Sequence, residues 1–481
     1  MKAVDLGTEL KKGLIITFIG KYSYFAIQLL ILALLSRILT PEEFGIVAIV
    51  NVFIVFFSML IDMGIGPAII QNKTLKKNNL DSIFVFSVTL SAFLSLIFVL
   101  LSPYIASFYS NNELIKVCIA MSAALFTSGL NMVPQAVLLK SKRFLEINIA
   151  QVISSLVSGI VGVTLALAGF SYYSIIISLI CKNFIFFIFI FRKSNLSLVR
   201  KFTFHDIKPI YSFSRNQFLF NLVNFFSRNL DNLLIGKFLS LKALGYYDKA
   251  YTMTLYPNQI LTNVINPVVQ PIMSQHESNP IVLKNTYFSI SRILGFIGIP
   301  LSVYLYFNSK EVIFLFFGNQ WAGSVGIFKI LSVSVCIQLI LSSTGAFFQS
   351  ANRTDLLLVS GILSTCLNIL SIIIGVVTKN IEYLAFILVI GFMINFVQAH
   401  YLLLKKVFFT SQKSFYAIFK IPLLIGSLVF GSLWFYNYAT NIESTIINLV
   451  FKSLITIIIF SIIVVLTGNK NLFLKLVKRG R

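Results

Sequence analysis

Residues 35–48 read LSRILTPEEFGIVA, and residues 235–248 read IGKFLSLKALGYYD, which repeats the pattern at an offset of 200 residues without a gap. In this alignment Arg37 meets Lys237, and Gly45 meets Gly245. Each copy joins one long apolar run to the next. Repeats of whole helical bundles are a recurrent design of membrane transporters. The repeated segment therefore predicts two similar helical lobes.

Long apolar runs extend from this segment to both ends of the chain. Of the 481 residues, 57% are hydrophobic and 11% are charged. In soluble domains about a quarter of all residues are charged. A helix needs about 20 mostly apolar residues to cross the hydrocarbon core of a bilayer. The sequence predicts fourteen such spans, with these limits: 13–36, 43–65, 81–101, 115–138, 147–170, 172–191, 209–235, 248–273, 286–307, 325–347, 355–377, 382–404, 415–437 and 445–467.

Membrane topology explains most of the net charge of +23. Fourteen spans place both termini on one side. Of the 39 basic residues, 26 fall in loops on that side, nine fall on the opposite side or at span ends, and four fall inside spans. Because cytoplasmic loops are rich in Lys and Arg, we expect both termini to be cytoplasmic and expect no nucleic-acid partner.

The largest basic loop, 192–208, suggests a linker between the two lobes. We predict an N-terminal six-helix lobe at 1–191, the cytoplasmic linker at 192–208 and a second six-helix lobe at 209–404. Residues 405–481 then hold two extra transmembrane helices and a basic tail. A weaker similarity between the two halves is that Glu146 and Asp355 each begin a span, at corresponding positions of the repeat. The predicted fold class is an all-α polytopic membrane protein.

Several functional classes find no support in the sequence. The four cysteines and three histidines are scattered, so no local spacing assembles a metal site. No GxxxxGK[ST] motif for nucleotide phosphates occurs. The N-terminus lacks the pattern of a cleavable signal peptide. We therefore expect no metal and no cofactor, and we expect an ion gradient of H⁺ or Na⁺ to supply any driving force.

A polar stripe follows one face of the predicted seventh span. Its members are spaced by three or four residues: Ser214, Gln217, Asn221, Asn224, Arg228 and Asp231. Ionisable residues inside spans usually face a bundle interior or a water-filled cavity. Two interpretations stay open, since the stripe fits a hydrated cavity wall and also fits hydrogen bonds between packed helices. Arg228 and Asp231 can also pair within their own helix.

Similar polar positions occur in the first, second and eighth spans. In the repeat, the first and second spans of one half correspond to the seventh and eighth spans of the other. The predicted cavity residues are Lys21, Gln28, Arg215, Gln217, Asn221, Asn224, Arg228 and Asn266. Asp62 and Asp231 are the candidates for ion coupling. Four cations inside spans outnumber these two carboxylates, which favours an anionic substrate. For Lys21 and Lys182, snorkelling to the interface is the alternative.

Four segments carry a resemblance to a known family. They are the segment 35–48, DMGIGPAIIQ at 62–71, FSRNLDNLLIGKFLSLKALGYYDKAY at 226–251 and NPVVQPIMSQ at 266–275. These segments resemble the polysaccharide transporter family, the Wzx- and TuaB-like flippases of the multidrug/oligosaccharidyl-lipid/polysaccharide exporter superfamily. The resemblance covers nearly the whole chain.

The family pattern also picks out individual residues as structural motif positions: Arg37, Glu42, Gly45, Asp231 and Gly236, with Gly245 as the partner of Gly45 in the repeat. The resemblance implies two six-helix lobes around a central, alternately open cavity. It implies a flippase, not an enzyme, that moves undecaprenyl-diphosphate-linked oligosaccharide units across the bacterial inner membrane. These units serve O-antigen, capsule or exopolysaccharide assembly. The implied partners are membrane lipid and the polymerase and chain-length regulator of the same pathway.

Three alternatives remain at the level of sequence. The first is a multidrug or cation antiporter of the same superfamily, which would use carboxylates inside the membrane. The second is a peptidoglycan-precursor flippase. The third is a membrane polymerase or ligase, which is disfavoured because the longest outer stretch, about 308–324, holds only Lys310 and Glu311 as charged residues.

Overall fold

The computed structural model describes residues 6–72, 75–197, 229–274, 279–440 and 444–468, together with residue 277 and isolated residues between 214 and 226. The side chains of 6–19, 263–268, 270–272 and 274 lie outside this description. The chain divides into two compact units, Met1–Gly245 and Tyr246–Arg481, called here the first and second units. The predicted linker falls largely outside the described residues, so the predicted domain limits stay predictions.

The first unit is built of helices. They are α1 Leu6–Ile38, α2 Pro41–Asp62, α3 Ile65–Gln71, α4 Lys77–Tyr109, α5 Glu113–Lys140, α6 Phe144–Leu167, α7 Tyr173–Ser194 and α8 at 229–238. The long helix α9, Leu241–Ser274, begins in this unit and continues in the second. Helix α5 packs against α2, α4 and α7, and α6 packs against α1 and α7.

The second unit is also helical in its described part. Its helices are α10 Pro280–Phe307, α11 Ser309–Phe317, α12 Ala322–Ser332, α13 Val335–Leu341, α14 Thr344–Ser350, α15 Thr354–Val377, α16 Ile381–Lys406, α17 Gln412–Tyr416, α18 Lys420–Ala439 and α19 Thr445–Leu466. Helix α10 packs against α12, α13 and α18, and α19 packs against α11 and α18. Helices α18 and α19 correspond to the two extra spans predicted within 405–481.

The all-α membrane fold is confirmed, whereas the count of fourteen spans is not. Among the described residues, eleven helices are long and apolar enough to cross a membrane, and a bent pair raises the count to twelve. The predicted seventh span lies mostly outside the described residues. The predicted eighth span is α9, whose amides and prolines leave it too polar to count by composition.

Two predicted spans differ in shape from the expectation of one continuous helix. The second span breaks after Asp62 and continues as α3 to Gln71. The tenth span is a bent pair, Asn319–Ser332 and Val335–Ser350, with an angle of 50° between its parts. Hydropathy averaged over a span does not register such breaks, because the helical segments on both sides of each break are mostly apolar.

The start of α2 shows how the quoted segment specifies its own local structure. The Thr40 hydroxyl accepts a hydrogen bond from the backbone N–H of Glu43 at 3.3 Å. The Glu43 carboxylate accepts in return from the N–H of Thr40 at 2.6 Å. Pro41 occupies the first turn, where a missing N–H has no cost. This capping box fixes the position at which α2 begins.

The two copies of the repeated segment pack against each other. A Cβ atom on Gly45 would lie 1.9 Å from the carbonyl oxygen of Leu241, and one on Gly245 would lie 2.0 Å from that of Pro41. Pro41 and Leu241 are themselves counterparts at the 200-residue offset. Each glycine thus leaves room for the backbone of the first helical turn in the other copy of the segment. This close approach explains why both copies have glycine at this position.

An arginine joins two neighbouring helices in the first unit. Arg143 donates from Nε and Nη2 to the carboxylate of Glu146 at 2.8 and 2.6 Å. Its Nη1 donates to the carbonyl of Lys193 at 2.5 Å. Lys142, immediately before it, has a left-handed backbone with φ of 56°. The arginine therefore ties the start of α6 to the end of α7.

The second unit repeats this arrangement at Arg353. Its Nε and Nη2 donate to the carboxylate of Asp355 at 2.9 Å each, and Nη1 donates to the carbonyl of Lys406 at 3.1 Å. Asn352, the preceding residue, has φ of 53°. The α15–α16 hairpin is thus closed in the same way as the α6–α7 hairpin. The similarity between Glu146 and Asp355 in the sequence marks equivalent ion pairs.

Candidate functional site

A polar cavity of about 360 Å³ lies inside the first unit. Helices α1, α2, α5, α6 and α7 all contribute to its wall. The polar lining residues are Tyr24, Ser58, Asp62, Ser128, Asn131, Gln135, Gln151, Ser154, Lys182 and Asn183. Such a concentration of amides, hydroxyls and charges is costly within an apolar helical bundle, and intramembrane polar groups of this kind mark substrate or ion pathways.

A break in the second predicted span places Asp62 at the cavity. Helix α2 ends at Asp62, Met63 and Gly64 take left-handed backbones with φ of 41° and 74°, and α3 begins at Ile65. The Asp62 carboxylate accepts a hydrogen bond from the N–H of Gly66 at 3.2 Å. Broken helices at the depth of the membrane are typical places where transporters bind substrates and coupling ions.

Lys182 supplies the cation of the cavity. Its Nζ donates to the hydroxyl of Tyr24 at 2.8 Å and lies 5.1 Å from the centre of the same ring. The side chain therefore points from α7 towards α1, which is not the snorkelling arrangement. Cavity wall and cation together form a surface that can replace water around an anionic, hydroxyl-rich group.

Two asparagines connect α5 and α7 beside the cavity. Asn131 Nδ2 donates to the carbonyls of Thr127 and Asn183, at 3.1 and 3.0 Å. Asn183 Nδ2 donates to the carbonyl of Ala124 at 3.2 Å. The Oδ1 atom of Asn131 is buried without a hydrogen-bond partner among the described residues. A buried acceptor of this kind is costly to leave unsatisfied, so it is suited to a bound water, ion or substrate hydroxyl.

The predicted site residues on α1 lie apart from this cavity. Gln28 Nε2 donates to the hydroxyl of Ser155 on α6 at 3.2 Å. This contact is the helix-packing role that the sequence left open for the amides inside spans. Lys21 is exposed on α1. Of the predicted residues of the first two spans, Asp62 lines the cavity.

The predicted stripe of the seventh span is only partly described. Arg215, Gln217, Asn224 and Arg228 lie outside the described residues, and so does the side chain of Asn266 on α9. Asn221 is half-buried and has an interaction partner. Asp231 is buried and accepts from the N–H of Asn232 at 2.9 Å, away from the polar cavity. The cavity role of the stripe and the predicted central cleft stay predictions.

The motif residues have structural positions. Arg37 is exposed in the last turn of α1, and Glu42 is exposed in the first turn of α2. The neighbouring Glu43 makes the capping contacts and also accepts a hydrogen bond from the hydroxyl of Ser171. A Cβ atom on Gly236 would lie 2.9 Å from the side chain of Ile49, so close packing accounts for this glycine.

Sequence reasoning missed most of the polar cavity. On α5, Thr127, Asn131 and Gln135 are spaced by four residues and therefore share one helical face. The polar stripe of the seventh span was recognised by the same spacing of polar residues. The same criterion predicts a polar face on α5, which is otherwise an apolar helix. Gln151 and Ser154 on α6 show the same pattern at a spacing of three.

Solved structures of membrane transporters share this fold. The chain is similar to the solved structure of the lipid II flippase MurJ in an inward closed conformation, with a TM-score of 0.74 and 14% identity. The alignment covers 95% of this chain and 99% of MurJ. At this identity the likeness shows the fold alone.

Residues 34–326 match the family described as polysaccharide biosynthesis protein, and the chain belongs to this family. It is 25% identical to the teichuronic acid biosynthesis protein TuaB of Bacillus subtilis, over 84% of this chain and 85% of TuaB. It is 21% identical to the lipopolysaccharide biosynthesis protein WzxC of Escherichia coli, over 82% of this chain and 81% of WzxC. The protein is thus a multi-pass membrane flippase of polysaccharide biosynthesis, not an enzyme.

The family match also bears on the alternatives predicted from sequence. The fold is shared with the peptidoglycan-precursor flippase, so it does not separate that alternative from a polysaccharide flippase. The family and the curated relatives are those of polysaccharide biosynthesis, so the antiporter and the peptidoglycan-precursor flippase fit less well.

Proposed function

We propose that this flippase moves undecaprenyl-diphosphate-linked oligosaccharide units across the bacterial inner membrane by alternating access. The observation that carries this proposal is the presence of Lys182, Asp62 and a wall of amides in one cavity inside an apolar helical unit. The relatives are named for different surface polymers, namely teichuronic acid, lipopolysaccharide and succinoglycan. A lipid-linked unit is the kind of substrate that such different pathways can share.

The physical task of such a flippase is to move a charged and hydroxyl-rich head group past hydrocarbon. Each unsatisfied polar group costs several kcal/mol in an apolar medium, roughly 2–7 kcal/mol by transfer measurements. Amides such as Asn131 and Gln151 offer replacement hydrogen bonds, and Lys182 offers a counter-charge to phosphate. The polyprenyl tail is apolar and stays in the lipid.

An ion gradient is the proposed driving force. Asp62 lines the cavity at a break between α2 and α3, and so does Asn131, whose Oδ1 has no hydrogen-bond partner in the part of the chain that the structure describes. The carboxylate of Asp62 can carry a proton, and carboxylate and amide oxygens together can bind Na⁺. Release of the ion on the opposite side would then accompany the return of the empty flippase.

The proposal includes a location and partners. We place the flippase in the bacterial inner membrane with both termini in the cytoplasm. The excess of basic residues in alternate loops supports this orientation. In this orientation the oligosaccharide leaves on the face where a polymerase and its chain-length regulator act. A reporter enzyme fused after residue 440, in the loop between α18 and α19, should be active on the outer side only.

Complementation of a deletion strain tests the role of the cavity. Lys182→Gln should abolish surface polymer and cause lipid-linked units to accumulate in the inner leaflet, because the counter-charge is lost. Lys182→Arg keeps the charge and should restore part of the polymer. Lys193→Gln, at the exposed end of the same helix, is the matched control and should behave as wild type.

Protein amount in the membrane has to be equal in all three strains. Wild-type polymer levels in the Lys182→Gln strain would overturn the cavity assignment. Drug sensitivity of the deletion strain without any change in polymer would instead indicate the antiporter alternative.

A further inference from the structure

A second polar cavity, of about 710 Å³, lies in the second unit, where α18 and α19 meet the ends of α10, α11 and α12. This is about twice the volume of the cavity in the first unit. Its charged lining residues are Lys310, Glu311, Lys329 and Lys452. The proposed transport path uses none of these residues, so their presence in one cavity needs a separate explanation.

A buried ion pair forms the floor of this cavity. Lys452 is 2% exposed, and its Nζ lies 2.7 Å from Glu311 Oε1. Asn448 Nδ2 donates to the same carboxylate oxygen at 2.6 Å. The Nζ of Lys452 also donates to the carbonyl of Phe307 at 3.3 Å. The charges of Lys452 and Glu311 therefore balance, and the pair fixes α19 against α11.

Lys310 and Lys329 add positive charge to the lining beyond that of the Lys452–Glu311 pair. Among the described residues neither lysine has an ion-pair partner. Lys329 Nζ lies 4.8 Å from the ring centre of Tyr306, and Lys310 Nζ lies 5.8 Å from that of Phe314. The cavity lining as a whole thus carries two more positive than negative charges, which favours an anion.

Aromatic residues indicate the depth of this cavity in the membrane. Trp434 lines it and stacks on Tyr438 with a centroid distance of 6.1 Å, and both rings are largely exposed. Exposed Trp and Tyr residues concentrate at the membrane–water interface. Lys452 lies seven residues beyond Thr445 at the start of α19, about 10 Å along the helix. The cavity therefore opens at the level of lipid head groups.

We infer that this cavity binds the phosphate of a membrane lipid. Lys310 and Lys329 contact the phosphate, and the Lys452–Glu311 pair holds the helices that form the cavity. The chemistry at this depth is that of a lipid-borne phosphate, from an acidic phospholipid or from a polyprenyl diphosphate. The site does not depend on the transport role proposed for the first unit.

The test measures lipid binding rather than transport. Full-length protein in phosphatidylcholine nanodiscs is titrated with a fluorescent phosphatidylglycerol, and binding is read by energy transfer to a dye on the protein. Each basic residue near a lipid surface contributes about a fivefold factor in affinity, so Lys310→Gln/Lys329→Gln should bind roughly thirty-fold more weakly. Lys116→Gln/Lys379→Gln removes two exposed lysines elsewhere and should bind like wild type.

A second arm identifies the source of the phosphate. Undecaprenyl diphosphate that displaces phosphatidylglycerol from wild type, but fails to bind the Lys310→Gln/Lys329→Gln variant, assigns the site to the carrier lipid. Failure to displace assigns it to the phospholipid. Equal affinity of the wild type and this double variant for both lipids would overturn the proposal, whatever the result of the Lys182 experiment.

Discussion

The two units close one hairpin in the same way but fill their interiors differently. In the first unit, Lys182 and Asp62 line a polar cavity. In the second unit, the hydroxyl of Tyr287 lies 2.7 Å from Nε2 of fully buried His400, and phenylalanine rings such as Phe415 pack around them. The Arg143 and Arg353 contacts, by contrast, are equivalent. The scaffold is repeated, whereas the chemistry inside it is not.

This difference separates two kinds of polar residue in a membrane protein. Tyr287 and His400 satisfy each other, and His400 Nδ1 also pairs with the carbonyl of Phe396 at 2.7 Å. Asn131 keeps an acceptor that no described residue satisfies. We therefore expect substitutions in the first cavity to affect transport and substitutions in the Tyr287 cluster to affect stability.

The largest expected effect is on transport by Asp62→Asn. The amide keeps the hydrogen bond to the N–H of Gly66 but loses the charge. Coupling free energies between sites are about 1–3 kcal/mol, so gradient-driven flipping in proteoliposomes should fall by roughly 5- to 150-fold. Flipping that keeps its full dependence on an imposed H⁺ or Na⁺ gradient would show that Asp62 is not the coupling residue. Asp355→Asn, in the first turn of α15 and outside the polar cavity, is the control.

The next effect tests the repeated scaffold. Gly45→Ala and Gly245→Ala should each lower the stability of the folded protein by about 3 kcal/mol, because each added Cβ meets a backbone oxygen that cannot move away. Thermal unfolding in detergent measures the change. Gly431→Ala, where a Cβ meets nothing within 4 Å, should unfold like wild type. Unequal losses at Gly45 and Gly245 would argue against the reciprocal contact.

A smaller effect is expected in the second unit. Tyr287→Phe leaves the Nε2 atom of His400 buried without its partner, which should cost about 1–2 kcal/mol of stability. Flipping per folded molecule should stay at the wild-type level, as measured in proteoliposomes with equal amounts of protein. A transport defect in this variant without loss of stability would remove the distinction between the two units.

The smallest effect is expected at the arginine pairs. The side chains of Arg143 and Glu146 are 35% and 32% exposed, whereas those of Arg353 and Asp355 are 39% and 62% exposed. Arg143→Lys should cost about 0.5–1 kcal/mol, since lysine cannot make all three contacts. Arg353→Lys should lower the melting temperature less. The reverse order would show that exposure does not decide the strength of these pairs.

Predictability from sequence followed the physical origin of each feature. Apolar length is local, so the limits predicted for the spans that form α6, α16 and α19 agree with the structure to within a few residues, whereas α4 extends beyond its predicted span at both ends. The breaks after Asp62 and between α12 and α13 were not predicted, because the hydropathy averaged over each span stays apolar across them. Helix α9 is long enough to cross a membrane, but its composition is too polar for a span. Its length and its composition therefore give different answers to whether it is a membrane span.

The sequence by itself determined that this is a membrane protein, that it contains a repeat and which family it resembles. The signals are the lengths of the apolar runs, the distribution of basic residues among the loops and the repeated motif, and all of them can be recognised from the order of residues alone. Only the tertiary structure decided which polar residues meet. Asn131, Gln151 and Lys182 lie on three successive helices, α5, α6 and α7, and the pattern within any one helix does not relate them. The 200-residue repeat itself gained its physical reason only in three dimensions, where each glycine makes room for the backbone of the other copy.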